Sequence, residues 1–245
     1  MVGHRKEIFE SILSTCPAWT SIRERDEFEI HFIAQIERGS GKLTRAYDLL
    51  MKVWTDERVT VQEVSKDRLL PISCPQRHIN ADETFCVGLR ADYSVKDTAS
   101  AEIWWQRLAV FLACQETAEE SRKWPPMLQV SHGEAADLQL EAEELARKLD
   151  LAKAYEMAVA YDEGSIAALS KHVSRITGRL PRPRMLCACG YTDNGHVKSR
   201  QQCAGDNNLC LPVLEYRRRR AEMSFWREAR GRLSCCGAID DCPLK

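Results

Sequence analysis

The sequence lacks any apolar run approaching the roughly 20 residues that a membrane-spanning helix requires. Its start, Met-Val-Gly-His-Arg-Lys-Glu, lacks the hydrophobic stretch of a secretory signal, so a cytoplasmic protein with no membrane partner is expected. No glycine-rich phosphate loop is present, which excludes nucleotide activation by a P-loop of its own. The cysteine-rich end has no His-Glu-x-x-His pair, which argues against a catalytic zinc there. An excess of one charge is also missing, with 35 Lys plus Arg against 36 Asp plus Glu. That balance hides a polarity. From Arg179 to Lys245 there are 13 Lys plus Arg and 7 Asp plus Glu, so this end carries +6 and the remainder −7.

At 245 residues, 44% hydrophobic and 29% charged, the chain can bury one good core and a smaller appendage. Eleven cysteines in a reducing compartment point to thiol or metal chemistry rather than a disulfide framework. Cys16, Cys74, Cys86 and Cys114 are scattered, whereas the other seven fall between Cys187 and Cys242.

Hydrophobic periodicity divides the first half. An amphipathic stretch from Arg5 to Leu13, with Ile8, Phe9, Ile12 and Leu13 apolar, predicts a leading helix. Phe28, Ile30, Phe32, Ala34 and Ile36 then alternate with Glu29, His31, Ile33 and Gln35, the period of a half-buried strand. Tyr47, Leu49, Met51 and Val53 repeat the pattern, and Arg38-Gly-Ser-Gly-Lys42 between the runs has the glycines of a hairpin connection. A third run, Arg58 to Val64, leads through Leu69-Leu70-Pro71 into the segment SCPQRHINADETFCVGLR, Ser73 to Arg90. A cysteine that carries an acyl group needs a partly exposed loop position and a nearby amide donor for the oxyanion. In this segment Cys86 would be the carrier, Asn80 the donor, and His78 a brace acting through the loop backbone. The same residues also suit a small buried thiol, a turn cap and a surface histidine.

The order of leading helix, antiparallel meander, His-x-Asn loop and following cysteine resembles the ubiquitin-conjugating (E2) fold. The wording of Arg77-His-Ile-Asn80 and Phe85-Cys-Val-Gly-Leu89 is most similar to prokaryotic E2-like proteins from bacterial ubiquitin-like conjugation and antiphage (CBASS-type) gene neighbourhoods. Ile79 stands where eukaryotic members keep proline, and the spacing from Asn80 to Cys86 is shorter than theirs. The resemblance implies an α+β fold and a partner, an E1-like activating enzyme. That enzyme would adenylate the C-terminus of a ubiquitin-like modifier or of a CD-NTase-type nucleotidyltransferase, which Cys86 would accept as a thioester and pass to an amine. Other readings of the same chain are a non-catalytic, degenerate E2 fold that recruits nucleic acid or a protein, and a redox sensor pairing Cys86 with Cys74.

Downstream the period becomes helical. Trp104, Leu108, Phe111 and Leu112 share one face, Thr98 and Ser100 offer N-caps, Trp105 could cover the Cys86 loop, and Trp124-Pro125-Pro126 ends the run. Ser131-His-Gly-Glu134 has capping-box spacing ahead of Leu138, Ala142, Leu145 and Leu149, while Ile166, Leu169, Val173 and Ile176 make a further helix closed by Gly178. The prolines of Arg179 to Arg184 then break the pattern. Three parts are therefore expected: an E2-like domain over 1–126, a helical extension over 127–178 and a cysteine-rich module over 179–245.

Cys187-Ala-Cys189-Gly190 and Cys235-Cys236-Gly237 resemble the knuckles of SEC-C-type zinc motifs, which implies a structural zinc. The intervening Cys203 and Cys210 allow a second site or the different pairing Cys187, Cys189, Cys203 and Cys210. Leu211 to Leu233 reads as a helix whose Arg217 to Arg220 run and Phe225-Trp226 pair form either a solvated face or a nucleic-acid surface.

Overall fold

The computed structural model describes residues 2–88 (side chains from His4), 95–180 and 210–245, with the backbone alone of 192–193 and 196–197. The fold is α+β, and the chain divides into two compact units, Met1–Pro125 with Leu233–Lys245, and Pro126–Arg232.

The first unit opens with helix α1, Val2–Ser14, whose Ile8, Phe9 and Ile12 are buried. An antiparallel sheet follows in the order β1 (Thr20–Arg25), β2 (Glu29–Ala34), β3 (Tyr47–Val53) and β4 (Val59–Glu63). Strands β2, β3 and β4 bury alternate residues, as their period-two patterns require. Ile30, Phe32 and Ala34 join Tyr47, Leu49, Met51, Val53 and Val61 on the buried face. The turn between β2 and β3 closes through Arg38 N–H to Lys42 O, 2.8 Å, with Gly41 at φ +75°. Strand β1 carries no apolar alternation. It is an edge strand exposed along nearly its whole length, with a bulge between Ile22 and Glu24, so neither face selects apolar residues.

Helix α2, Thr98–Ser121, closes the core with Trp104, Trp105, Leu108, Phe111 and Leu112. Its cap differs from the expected Thr98 or Ser100: Asp97 is the N-cap and Ser100 completes the capping box from inside the helix. Trp105 is a core residue, since its Nε1–H donates to Ile12 O at 3.0 Å and its ring meets Trp19, Phe32 and Trp104 edge-on.

The last 13 residues return to this unit without a helix or strand. Ile239 and Cys242 enter its core, and Arg122 donates to Asp240 Oδ1 at 2.6 Å and to Gly237 O at 2.9 Å. The C-terminal end is therefore no separate module, as the proline break had suggested, because these residues complete an apolar surface that begins in the N-terminal half.

The second unit holds α3 (Glu134–Lys148), α4 (Ala152–Tyr161), α5 (Gly164–Ser170) and α6 (Leu211–Ala229), with the short pair β5 (Thr192–Asp193) and β6 (His196–Val197). The expected boundary after Gly178 does not divide it. Val173 and Leu180 pack with Val213 of α6, and Leu211 and Leu214 pack with Ala142, Ala146 and Tyr155. The helix expected through Ile176 stops at Ser170, and Ile176 is 96% exposed. Ser131 does not cap α3, whose N-cap is Gly133. Ser131 N–H instead donates to Gln139, and its hydroxyl accepts from Arg218.

Candidate active site

The loop from Ser73 to Gly88 is held from its two ends inward. Glu63, 1% exposed at the end of β4, accepts Leu69 N–H at 2.8 Å and Leu70 N–H at 3.0 Å, which fixes the approach. Cys74 and Ile79 then exchange backbone hydrogen bonds, both 3.0 Å, around a 3-10 turn at Pro75–Arg77. His78 leaves that turn in the left-handed region, φ +55°, and its ring is buried 4.9 Å from that of Trp124.

Cys86 is pinned through its own backbone and that of its neighbour. Phe85 N–H donates to Val61 O of β4, and Cys86 N–H donates to His78 O, each at 2.8 Å. Phe85 stacks on Phe111 of α2, with centroids 4.7 Å apart. The thiol itself is partly exposed, with Sγ 3.5 Å from Gly88 O. His78 thus meets Cys86 through its carbonyl, while its ring lies beside Trp124.

Asn80 begins the turn enclosed by the isolated antiparallel bridge between Ile79 and Phe85. Its N–H bonds Thr84 O at 2.9 Å and its side-chain Nδ2 donates to Thr84 Oγ1 at 3.0 Å. Asp82 accepts from the Thr84 hydroxyl at 2.6 Å, so a small polar network shapes the turn between Asn80 and Cys86. Asn80 is exposed, and its amide has a second N–H beyond the one given to Thr84.

Two arginines at this loop had been given no role from the sequence. Arg77 is 1% exposed, and its guanidinium donates to Gln115 Oε1 (2.8 Å), Gln115 O (3.2 Å) and Glu119 Oε2 (3.0 Å). Gln115 returns a bond to Arg77 O at 2.8 Å, so α2 clamps the loop by a reciprocal side-chain and backbone pair. On the other side of Cys86, a side chain placed at Gly88 would meet the Arg107 guanidinium at 3.4 Å. Arg107 therefore sets a positive charge beside the backbone just past the thiol. Glycine at 88 gives it room.

Cys187, Cys189 and Cys203 lie outside the described residues; Cys210, the N-cap of α6, belongs to the second unit, and Cys235 and Cys236 belong to the first. Among the described residues no three His, Cys, Asp or Glu side chains stand as a group that could hold a metal ion.

The Arg217 to Arg220 run departs from the solvated face expected of it. Glu215, fully buried, accepts from Arg218 at 2.7 Å and from Arg219 at 2.6 Å. Phe225 and Trp226 are likewise engaged, packing around His132, whose Nδ1 lies 2.7 Å from Glu222 Oε1. His132 therefore joins the start of α3 to α6 within the second unit. No helix among the described residues is long and apolar enough to cross a membrane.

Residues 19–126 match a family model described as the prokaryotic E2 domain, and residues 131–244 match one described as a cysteine-rich domain, C-terminal to the E2 domain. No curated protein and no solved structure matches the chain.

Proposed function

We propose that this chain, a prokaryotic E2 domain followed by a cysteine-rich domain, is a conjugating transferase that carries an acyl group on Cys86. The observation that supports this most directly is the position of Cys86, which is partly exposed and held by its own N–H to His78 O and by the N–H of its neighbour Phe85 to Val61 O. A carrier must present its sulfur to large partners while its backbone stays still, and this loop does both.

The chain has no phosphate loop, so activation occurs in trans on an E1-like enzyme. The Cys86 thiolate attacks the C-terminal carbonyl of the adenylated modifier, a ubiquitin-like protein or nucleotidyltransferase, and AMP leaves. An acceptor amine then attacks the thioester, the thiolate departs, and the amine loses its proton to give an amide. Asn80 is assigned the oxyanion of that second step through the N–H that Thr84 does not use.

The cysteine-rich domain is consistent with metal binding. We assign it a closed structural zinc drawn from Cys187, Cys189, Cys203, Cys210, Cys235 and Cys236, with the pairing left open. Nothing in the transfer chemistry runs through that zinc. A bacterial antiphage setting follows from the family resemblance, and neighbouring genes for an activating enzyme and a modifier would support it.

Substitution of the carrier tests this reading. With the activating enzyme, modifier and ATP, Cys86→Ala should form no adduct, and Cys86→Ser should form either none or an ester that survives thiol treatment. A thiol-labile adduct on Cys86→Ala would overturn it.

A further inference from the structure

The arginines of α6 have two fates. Arg218 and Arg219 turn to buried Glu215, whereas Arg220 and, two turns on, Arg227 line a cleft of about 580 Å³. The cleft runs between one face of α6 and the residues that end and follow α5, which add Lys171 and Arg175. Lys171 is held by Asp162 at 2.6 Å, and Arg219, also in the lining, bonds the same carboxylate. Arg175, Arg220 and Arg227 are exposed, and among the described residues none of the three has a carboxylate within ion-pairing distance. Arg220 instead donates to the Tyr216 hydroxyl at 3.3 Å, with its guanidinium 5.9 Å from the centre of that ring.

A solvated arginine face is ordinarily neutralised by acids three or four positions away along the helix. The residues at that spacing from Arg220 are Tyr216, Arg217, Met223 and Ser224, and from Arg227 they are Met223, Ser224, Arg230 and Gly231. None is acidic. The cleft therefore gathers positive charge that α6 does not neutralise, beside apolar surface from Tyr216 and from Met223, which is 59% exposed. The charge is also spread out. Seven residues of helix set Arg220 and Arg227 about 10 Å apart, too far for one compact anion such as triphosphate to meet both. A strand with one phosphate per nucleotide can meet them in turn. Guanidinium forks match phosphate oxygens, and the Tyr216 ring and the arginine planes offer faces on which unpaired bases stack. The Phe225 and Trp226 rings are spent on His132, so Tyr216 is the aromatic residue left to this cleft.

We propose that this cleft binds a single strand of nucleic acid, with phosphates on Arg175, Arg220 and Arg227 and a base against Tyr216. The site lies wholly within the second unit and uses none of the residues that carry the acyl group, so it stands or falls apart from Cys86.

Fluorescence anisotropy of the full chain with a labelled 12-residue oligothymidylate tests it. A dissociation constant on the order of 10 μM is expected at physiological salt, with a log–log salt slope of about −2 for three phosphates at about 0.7 each. Arg220→Gln should weaken binding about 5- to 10-fold and make the slope shallower by about 0.7. Arg217→Gln removes the same charge from the same run but outside the cleft, and should change affinity less than about 2-fold. On wild-type protein, a duplex of the same length, poly-glutamate and tripolyphosphate should each compete at least about 10-fold less well than unlabelled strand. Absence of binding, equal losses in the two variants, or any of these competitors matching the unlabelled strand would overturn the proposal.

Discussion

A guanidinium as buried as Arg77 is tolerated only when its N–H groups are used, and Gln115 and Glu119 supply that use. Truncation to Arg77→Met would leave the Gln115 oxygens without their donor while Glu119, half exposed, stays hydrated. A loss of about 2–3 kcal/mol is expected, read as a shift in the urea midpoint of the full chain. A change below about 0.5 kcal/mol would show that the clamp does not hold the loop. Asn80→Ala should slow discharge of the thioester to an amine by about 100-fold with much less effect on loading, because the oxyanion forms during aminolysis. Equal slowing of both steps, measured in single turnover, would make Asn80 a purely structural turn residue. Cys86, Asn80 and His78 could be nominated from the sequence because their spacing is a local pattern. Arg77 was not: its partner Gln115 lies 38 residues away, and a loop arginine carries no periodic signal.

Helix α6 shows how an element can be placed correctly and its faces misread. Its span was legible from the apolar residues at its start, but an arginine run gave no hint that fully buried Glu215 gathers Arg218 and Arg219. Glu222, one turn further on, bonds the backbone N–H of His132 at 2.8 Å and Trp226 Nε1–H at 2.8 Å. Burial pushes the Glu222 carboxyl up, but hydrogen bonds and charge from His132, with the Trp226 bond, outweigh it and hold it below its ordinary 4.5. A lowered folded value means that the carboxylate stabilises the fold above about pH 4.5, an effect lost as pH falls through that lowered value. Glu222→Gln should therefore cost about 2 kcal/mol at pH 7. The gap from wild type should close in acid, as denaturation at a series of pH values would show. A gap independent of pH would mean that the carboxylate's charge is not what matters. In the same way β1 escaped notice because an exposed edge strand imposes no alternation, whereas β2, β3 and β4 were readable from theirs.

At the scale of the whole chain, the cysteine-rich sequence domain over 131–244 does not coincide with one structural unit, since its last residues complete the core of the other. Composition made the cysteine crowding plain, but only the three-dimensional structure brings Cys236 to Cys74, 162 residues earlier, with Sγ atoms 2.8 Å apart. Ending the chain after Arg232 would expose the surface that Ile239 and Cys242 cover and leave Arg122 without Asp240. A loss of about 3–5 kcal/mol in the first unit is expected. Unaltered thermal unfolding would show that the segment is dispensable.

Cys86 as acyl carrier is the claim from which the rest follows, and intact mass of the wild-type chain tests it most directly. After incubation with the activating enzyme, its modifier and ATP, the mass should rise by one modifier less one water. A thiol should reverse the gain, and peptide mapping should place it on Cys86. An adduct on another residue, or a chain that stays unmodified while the activating enzyme is charged, would contradict the account.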